Sequence, residues 1–236
     1  MTDLSQQTRT EWRPQRFGRL PGRKIIDPLI EPVWAGERVL AHVETSGQRS
    51  ADGAPFVAIL DQSGEPIEAF PDVSLAIGEA ARASTLVIDG YLTDRVQRGP
   101  EGVALTAVDL PTAGDHARQL LVGGSTSRRF DTGRDLERPV PVDPSVPTTF
   151  VAVDLLLVDD QELLGVPLLE RKRLLESVLG ENQSVRLGIF VRPPLASWYT
   201  SWRSIGFHAI AYKAANGRYY PGRDNDGWAI SKIPTR

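Results

Sequence analysis

The chain is 236 residues long, 41% hydrophobic and 24% charged, with a net charge of −3. That is enough chain for a substantial core, and the charge gives no whole-protein reason to expect nucleic acid, so any such affinity needs a local basic patch. The absence of cysteine excludes disulfides, thiolate metal sites and cysteine nucleophiles, the scattered His42, His116 and His208 argue against a histidine-built zinc site, and no apolar run approaches the roughly 20 residues of a membrane span.

Residues 1–27 form a basic N-terminal extension. Arg9, Arg13, Arg16, Arg19, Arg23 and Lys24 there face only Asp3 and Glu11 over the first 24 positions, and Pro14, Pro21 and Gly22 oppose a continuous helix. The start, Met-Thr-Asp-Leu-Ser, lacks the apolar core of a secretory signal, and a cytoplasmic protein is expected. Strands are predicted over Arg38–Glu44, Pro55–Asp61, Thr85–Leu92 and Val103–Leu110, each rich in Val, Ile, Leu or Thr between turn formers. Val73, Ile77 and Ala80 place a helix over about Asp72–Ala83.

Residues 111–147 carry little periodicity and read as a long flexible connection. Thr148–Val158 is a continuous apolar run, the pattern of a strand buried on both faces. A helix over Leu168–Leu179 puts Leu168, Leu175 and Leu179 on one side with Glu170, Arg171 and Glu176 opposite. Lys172 is expected on the solvated face, and Gly180 as the terminating glycine. Arg186–Val191, Phe207–Lys213 and Trp228–Ile233 read as strands, and Leu195–Ile205 as a short helix ended by Gly206. Trp198, Tyr199 and Trp202 lie on it at helical spacing as core or interface anchors. Strands and helices mixed without a βαβ rhythm indicate an α+β fold built on antiparallel sheets.

Four segments, in order, carry a resemblance. They are Glu31-Pro32-Val33-Trp34-Ala35-Gly36-Glu37-Arg38; Leu86-Val87-Ile88-Asp89-Gly90-Tyr91-Leu92; Phe150–Leu156 followed by Pro167-Leu168-Leu169-Glu170-Arg171-Lys172; and Gly206–Lys213 followed by Tyr220-Pro221-Gly222-Arg223 and Trp228–Lys232. Together they resemble the motifs of the adenylation (nucleotidyltransferase) domain of ATP-dependent DNA ligases. The resemblance implies an ATP-grasp-like nucleotidyltransferase fold over residues 28–236, antiparallel sheets flanked by helices, and a lysine that attacks the α-phosphate of ATP.

The departures bear on chemistry. The family lysine position is Val33, so no catalytic residue is assigned. The aspartate two residues on is Ala35, the metal-binding glutamates are Tyr91 and His208, and the aromatic that stacks on adenine is Val153. What the resemblance leaves for nucleotide or phosphate is Arg38, Lys213 and Lys232, and for DNA contact Arg13, Arg16, Arg19, Arg23, Lys24 and Arg223. Asp89 and Asp154, without their partners, are expected to be structural, and Trp34 and Tyr91 to fill the pocket. His208 is expected to be a packed or hydrogen-bonded side chain rather than a ligand.

Nucleophilic nucleotidyl transfer needs an amine aimed at the phosphate and a metal to neutralise developing charge. The expectation is therefore a catalytically inactive DNA ligase-like module for DNA repair. It would bind nicked or broken duplex DNA or a repair protein, and hold no cofactor or metal. A divergent ligase using ATP and Mg²⁺ at a rearranged site, and a reversible ATP/AMP sensor, are the competing readings. No OB domain is expected after the last motif.

Overall fold

A computed structural model describes residues 11–49, 55–94, 96–99, 102–107 and 141–233. The strands are β1 (Arg16–Phe17), β2 (Pro28–Pro32), β3 (Glu37–Arg49), β4 (Pro55–Leu60), β5 (Thr85–Thr93), β6 (Val96–Gly99), β7 (Gly102–Ala107), β8 (Thr149–Val158), β9 (Gln161–Glu162), β10 (Val185–Leu187), β11 (Ala209–Ala214), β12 (Asp224–Asn225) and β13 (Trp228–Lys232). The α-helices among the described residues are α1 (Pro71–Ala80), α2 (Leu168–Val178) and α3 (Ala196–Ser204). None is long and apolar enough to cross a membrane.

A large sheet runs β10-β8-β5-β3-β4, with β9 on β8; a smaller one runs β13-β11-β2. Pairing in both is antiparallel except β10 on β8, and the short β1 pairs with β12 in parallel. The α+β class follows from this arrangement. β8 is the strand buried on both faces: Phe150, Ala152 and Leu155 belong to the core under α1 and α2, while Val151, Val153 and Leu156 face the other way.

Period-two alternation splits β3 likewise. Val39, Ala41 and Val43 enter the helix-covered core, while Arg38 and Leu40 turn toward the small sheet, where Leu40, Val87 and Leu156 meet Ala209, Ala211 and Trp228. A third cluster joins Val151 and Val153 to Ile30, Ile210 and Trp202 of α3.

Two expectations are corrected on α2. Lys172 and Arg171 are not on a solvated face: Arg171 is fully buried and Lys172 is 3% exposed. Leu168, Lys172, Leu175 and Leu179 stand at i, i+4, i+7 and i+11, so helical geometry puts Lys172 on the leucine face, and Leu168 to Arg171 is the companion i, i+3 step. Gly180 does not make a left-handed stop either. Leu179 turns extended and bridges Ala81, and the Gly180 N–H donates to the Ala80 carbonyl at 2.8 Å. Gly206, at φ +97°, does end α3 in the left-handed region.

The strand expected over Arg186–Val191 stops at Leu187, with Val191 returning only as a bridge to Ile30. The strand expected over Val103–Leu110 is β7 as far as Ala107; residues 108–140, and with them most of the expected connection, lie outside the described residues.

Candidate functional site

The motif segment begins on β2, whose pairing with β11 carries the chain to the seam between the sheets. The Val33 N–H donates to the Ala209 carbonyl at 3.0 Å, and its half-buried side chain packs on the inter-sheet cluster. Trp34 turns the other way and meets Phe207 edge-to-face at 4.9 Å. Tyr91 and Val153 join the same cluster, so three of the motif positions are gathered into one apolar body. The Ala35 carbonyl accepts a hydrogen bond from Thr93 Oγ1 at 2.7 Å. Gly36 is needed for close approach: a Cβ there would sit 2.0 Å from the Leu92 carbonyl oxygen. His208 is exposed at the entrance to β11, its carbonyl accepting the Ile233 N–H.

The charged residues are held in three buried assemblies. Arg38 forks onto Asp89 (Nε–Oδ1 3.0 Å, Nη2–Oδ2 2.7 Å), and its Nη1 donates to the Gln15 carbonyl at 2.6 Å. The Tyr219 hydroxyl donates to Asp89 Oδ2 at 2.7 Å and accepts the Gln15 N–H at 2.8 Å. Burial and the charge of Asp89 push the Tyr219 phenol far above its usual range, so it stays a donor. Burial opposes the Arg38 charge, but Asp89, together with Tyr91 and Tyr219, outweighs it and raises the guanidinium further.

In the second assembly Arg171 forks onto Asp154 at 2.8 and 2.7 Å, both side chains fully buried, with further donations to the Val166 and Gly217 carbonyls. The third places Glu31 between two lysines, Lys172 at 2.8 Å and Lys213 at 2.8 Å, while Lys172 Nζ also donates to the Val153 carbonyl. Burial alone would raise the Glu31 carboxyl. The two ammonium groups outweigh it and hold it below the usual carboxylate range. Lys213 has only a share of that carboxylate, so burial, with repulsion from Lys172 and Arg38, lowers its ammonium. Arg38, at 5.4 Å, and Lys213, at 4.2 Å, both lie over the Trp228 ring.

Beside Arg38 lies a cavity of about 30 Å³ lined by Pro14, Gln15, Arg16, Phe17, Val33, Trp34, Gly36, Arg38, Gln62 and Tyr91. It has room for about two waters, at roughly 10–15 Å³ each, and not for a purine. Of the residues left by the resemblance for nucleotide or phosphate, the structure therefore brings Arg38 and Lys213 together against the Trp228 ring, each tied to a carboxylate. Lys232 is exposed at the end of β13. Among the described residues no group of three or more His, Asp or Glu gathers as a metal centre would, and Asp89 and Asp154 are closed on arginines.

The basic N-terminal residues are tied into the domain. The Arg16 N–H donates to the Arg223 carbonyl at 2.9 Å, and its side chain pairs with Asp224 at 2.8 Å. Arg13 donates to the Ser63 carbonyl, and its own carbonyl accepts the Gly222 N–H. The β1–β12 pairing thus brings Arg13, Arg16, Arg19 and Arg223 to one rim, with Asp224 and Asp226 among them. Lys24 is exposed in the 3₁₀ turn Gly22–Lys24, and the Arg23 side chain lies outside the described set.

Sequence reasoning missed Gln15, Glu31, Lys172 and Tyr219 as site residues. Helical spacing could have found Lys172, and the odd-numbered alternation of β2 and β11 could have placed Glu31 and Lys213 on one face. Nothing local marks Gln15.

No protein-family model and no curated protein matches the chain. Solved structures do. A mycobacterial DNA ligase D complexed with ATP and MES superposes with a TM-score of 0.59 at 19% identity, covering 94% of this chain and 60% of that one. The ligase domain of M. tuberculosis LigD gives 0.59 at 21% identity with the same coverages. A Lig E DNA ligase, described as binding DNA with a minimal scaffold, gives 0.51 at 12% identity over 93% of this chain and 68% of that one. The chain spans 60% of the length of the first two. Likeness at such identities is a likeness of fold, and it extends over nearly the whole chain: this protein has the ligase-type nucleotidyltransferase fold.

Proposed function

We propose that this chain is a catalytically inactive ligase-fold module that binds DNA in a repair setting and does not transfer nucleotides. The observation that carries the reading is the closure of the charged residues on one another. Arg38 is consumed by Asp89, Arg171 by Asp154, and Lys172 with Lys213 by Glu31. A nucleophilic amine must be deprotonated and aimed in line at phosphorus. Among the described residues no lysine lines the cavity, and the position matching the family lysine carries the isopropyl group of Val33.

DNA as the ligand is supported by the rim of Arg13, Arg16, Arg19 and Arg223 beside the exposed Tyr220, four cations against Asp224 and Asp226 on a chain of net charge −3. The similar proteins are DNA ligases, and one is described for its DNA binding.

Two assays on the purified chain test the reading. Incubation with α-phosphate-labelled ATP and Mg²⁺ or Mn²⁺, beside an active ligase, is expected to leave no label on the protein. Fluorescence anisotropy with nicked duplex is expected to show binding that weakens steeply with salt. A covalent adenylate would overturn the first half, and no DNA binding at low salt the second.

A further inference from the structure

Charge is unevenly placed along the chain. Residues 12–26 and 182–223 contain no aspartate or glutamate, yet they carry 11 of the 27 lysines and arginines of a protein whose net charge is −3. The fold lays these two stretches side by side. β1 pairs with β12, just beyond the second stretch. Gly22 of the 3₁₀ turn sits so close to the Tyr212 ring that a Cβ there would lie 2.3 Å from it. The Tyr212 hydroxyl in turn meets that of Tyr199 on α3 at 3.0 Å. A continuous band therefore runs from the arginine rim, over the face of the small sheet that carries Tyr212, to α3. Acids reach it at Asp27, paired with Arg192 at 3.0 Å, and at Asp224 and Asp226 near the rim.

The α3 end of the band has a surface of its own. Ser197, Trp198, Thr200, Ser201 and Ser204 are exposed there, Arg203 stands in the last turn, and the helix carries no acid. Lys24 of the 3₁₀ turn and Arg192 ahead of the helix are exposed as well. Trp198 is 40% exposed and leans on the buried Trp202, with ring centroids 5.7 Å apart. The buried indole steadies the exposed one, which makes Trp198 an aromatic anchor with little freedom left to lose. Hydroxyls and cations are the groups that contact a sugar-phosphate backbone, and a fixed aromatic ring is a platform for an unpaired base. In an intact duplex the base faces are stacked on one another, so such a platform serves only where a strand is single.

We propose that α3 is a second nucleic-acid surface that takes a single-stranded overhang. Trp198 stacks on an unpaired base, while Lys24, Arg192 and Arg203 supply positive charge along the strand that crosses from the rim. This rests on the DNA-binding reading and narrows its ligand to a broken end with unpaired nucleotides.

Fluorescence anisotropy at low salt tests it, with a labelled blunt duplex and the same duplex extended by a short oligo-dT overhang. The overhang duplex is expected to bind roughly tenfold more tightly. Trp198→Ala is expected to bring the two duplexes to equal affinity, Trp198→Phe to keep most of the difference, and Arg16→Ala with Arg223→Ala to weaken both. Equal binding of the two by the unsubstituted chain, or an overhang advantage that survives Trp198→Ala, overturns the α3 site and leaves DNA binding standing. If neither duplex binds, the DNA-binding reading falls and the α3 site with it. Poly-glutamate that displaces the overhang duplex as well as oligo-dT does would make the band a general polyanion surface and overturn base stacking. If Trp198→Ala does not fold, Ser201→Glu, an exposed position one turn along α3, decides by the same comparison: an advantage that survives the added charge refutes the site.

Discussion

Glu31→Gln is the sharpest test of how the two sheets are held together. Glu31 is 3% exposed and is the only carboxylate paired with either Lys172 or Lys213 among the described residues; the substitution leaves both ammonium groups buried with a neutral amide between them. Removing one partner of a buried ion pair costs about 3–5 kcal/mol, because the charge left behind keeps its desolvation penalty. Two are left here, so the upper end, about 5 kcal/mol, is expected, against a total stability of order 5–15 kcal/mol for a domain.

Lys172→Met should behave differently. It turns a cluster of net charge +1 into a neutral Glu31–Lys213 pair and keeps an unbranched apolar stem, so a loss of about 1–2 kcal/mol follows. Urea unfolding followed by tryptophan fluorescence measures both. The pH dependence gives an independent arm. Glu31 has its folded carboxyl below the usual glutamate range, so its contribution is present above the unfolded value and is lost as pH falls through the lower folded one. Glu31→Gln should flatten this acid limb. A Glu31→Gln chain as stable as Lys172→Met, or with an unchanged acid limb, would refute the neutralising role of Glu31.

Val33→Lys should gain no labelling by α-phosphate-labelled ATP, because Ala35, Tyr91 and His208 supply no acid and the pocket holds about two waters. DNA affinity should fall roughly 100-fold between about 50 and 200 mM salt if four rim arginines meet four phosphates, and Arg16→Ala with Arg223→Ala should flatten that slope. Trp34→Ala should lower stability by about 3–5 kcal/mol through the void left against Phe207, read by thermal melting. Gly36→Ala should destabilise by more than about 1 kcal/mol, since its Cβ would meet the Leu92 carbonyl at 2.0 Å.

β3, β4, β5 and β8 of the large sheet were legible because each is rich in Val, Ile, Leu or Phe between turn residues, and β8 announced its double burial by having no charged position except Asp154. The helices were legible from period, but the polarity of α2 was misjudged at Lys172 and Arg171. Reading charge as exposure failed there because acids from other elements, Glu31 and Asp154, neutralise both side chains at separations of 141 and 17 residues, which no local window contains. The docking of the N-terminal segment around Gln15 was hidden for a related reason. Its fixing interactions use the Gln15 backbone and a partner 204 residues away, so composition shows only a basic tail.

The residues that match the ligase motifs and those that depart from them divide by a physical rule. Six of the matching charges, Glu31, Arg38, Asp89, Asp154, Arg171 and Lys213, are buried and paired within the chain, whereas Glu170, Arg223 and Lys232 lie at the surface. Replacing any one leaves its partner as an uncompensated buried charge, a cost of about 3–5 kcal/mol whether or not any ligand is ever bound. The departing positions, Val33, Ala35, Tyr91, Val153 and His208, lie at an apolar cluster, at the β2–β3 turn or at the exposed start of β11. A charged group with no internal partner is stabilised there only by what it binds, so its replacement by an apolar residue is free or favourable once binding no longer matters. The retained Arg38, Arg171 and Lys213 are thus poor evidence for a working nucleotide site in this chain, because the fold alone accounts for them.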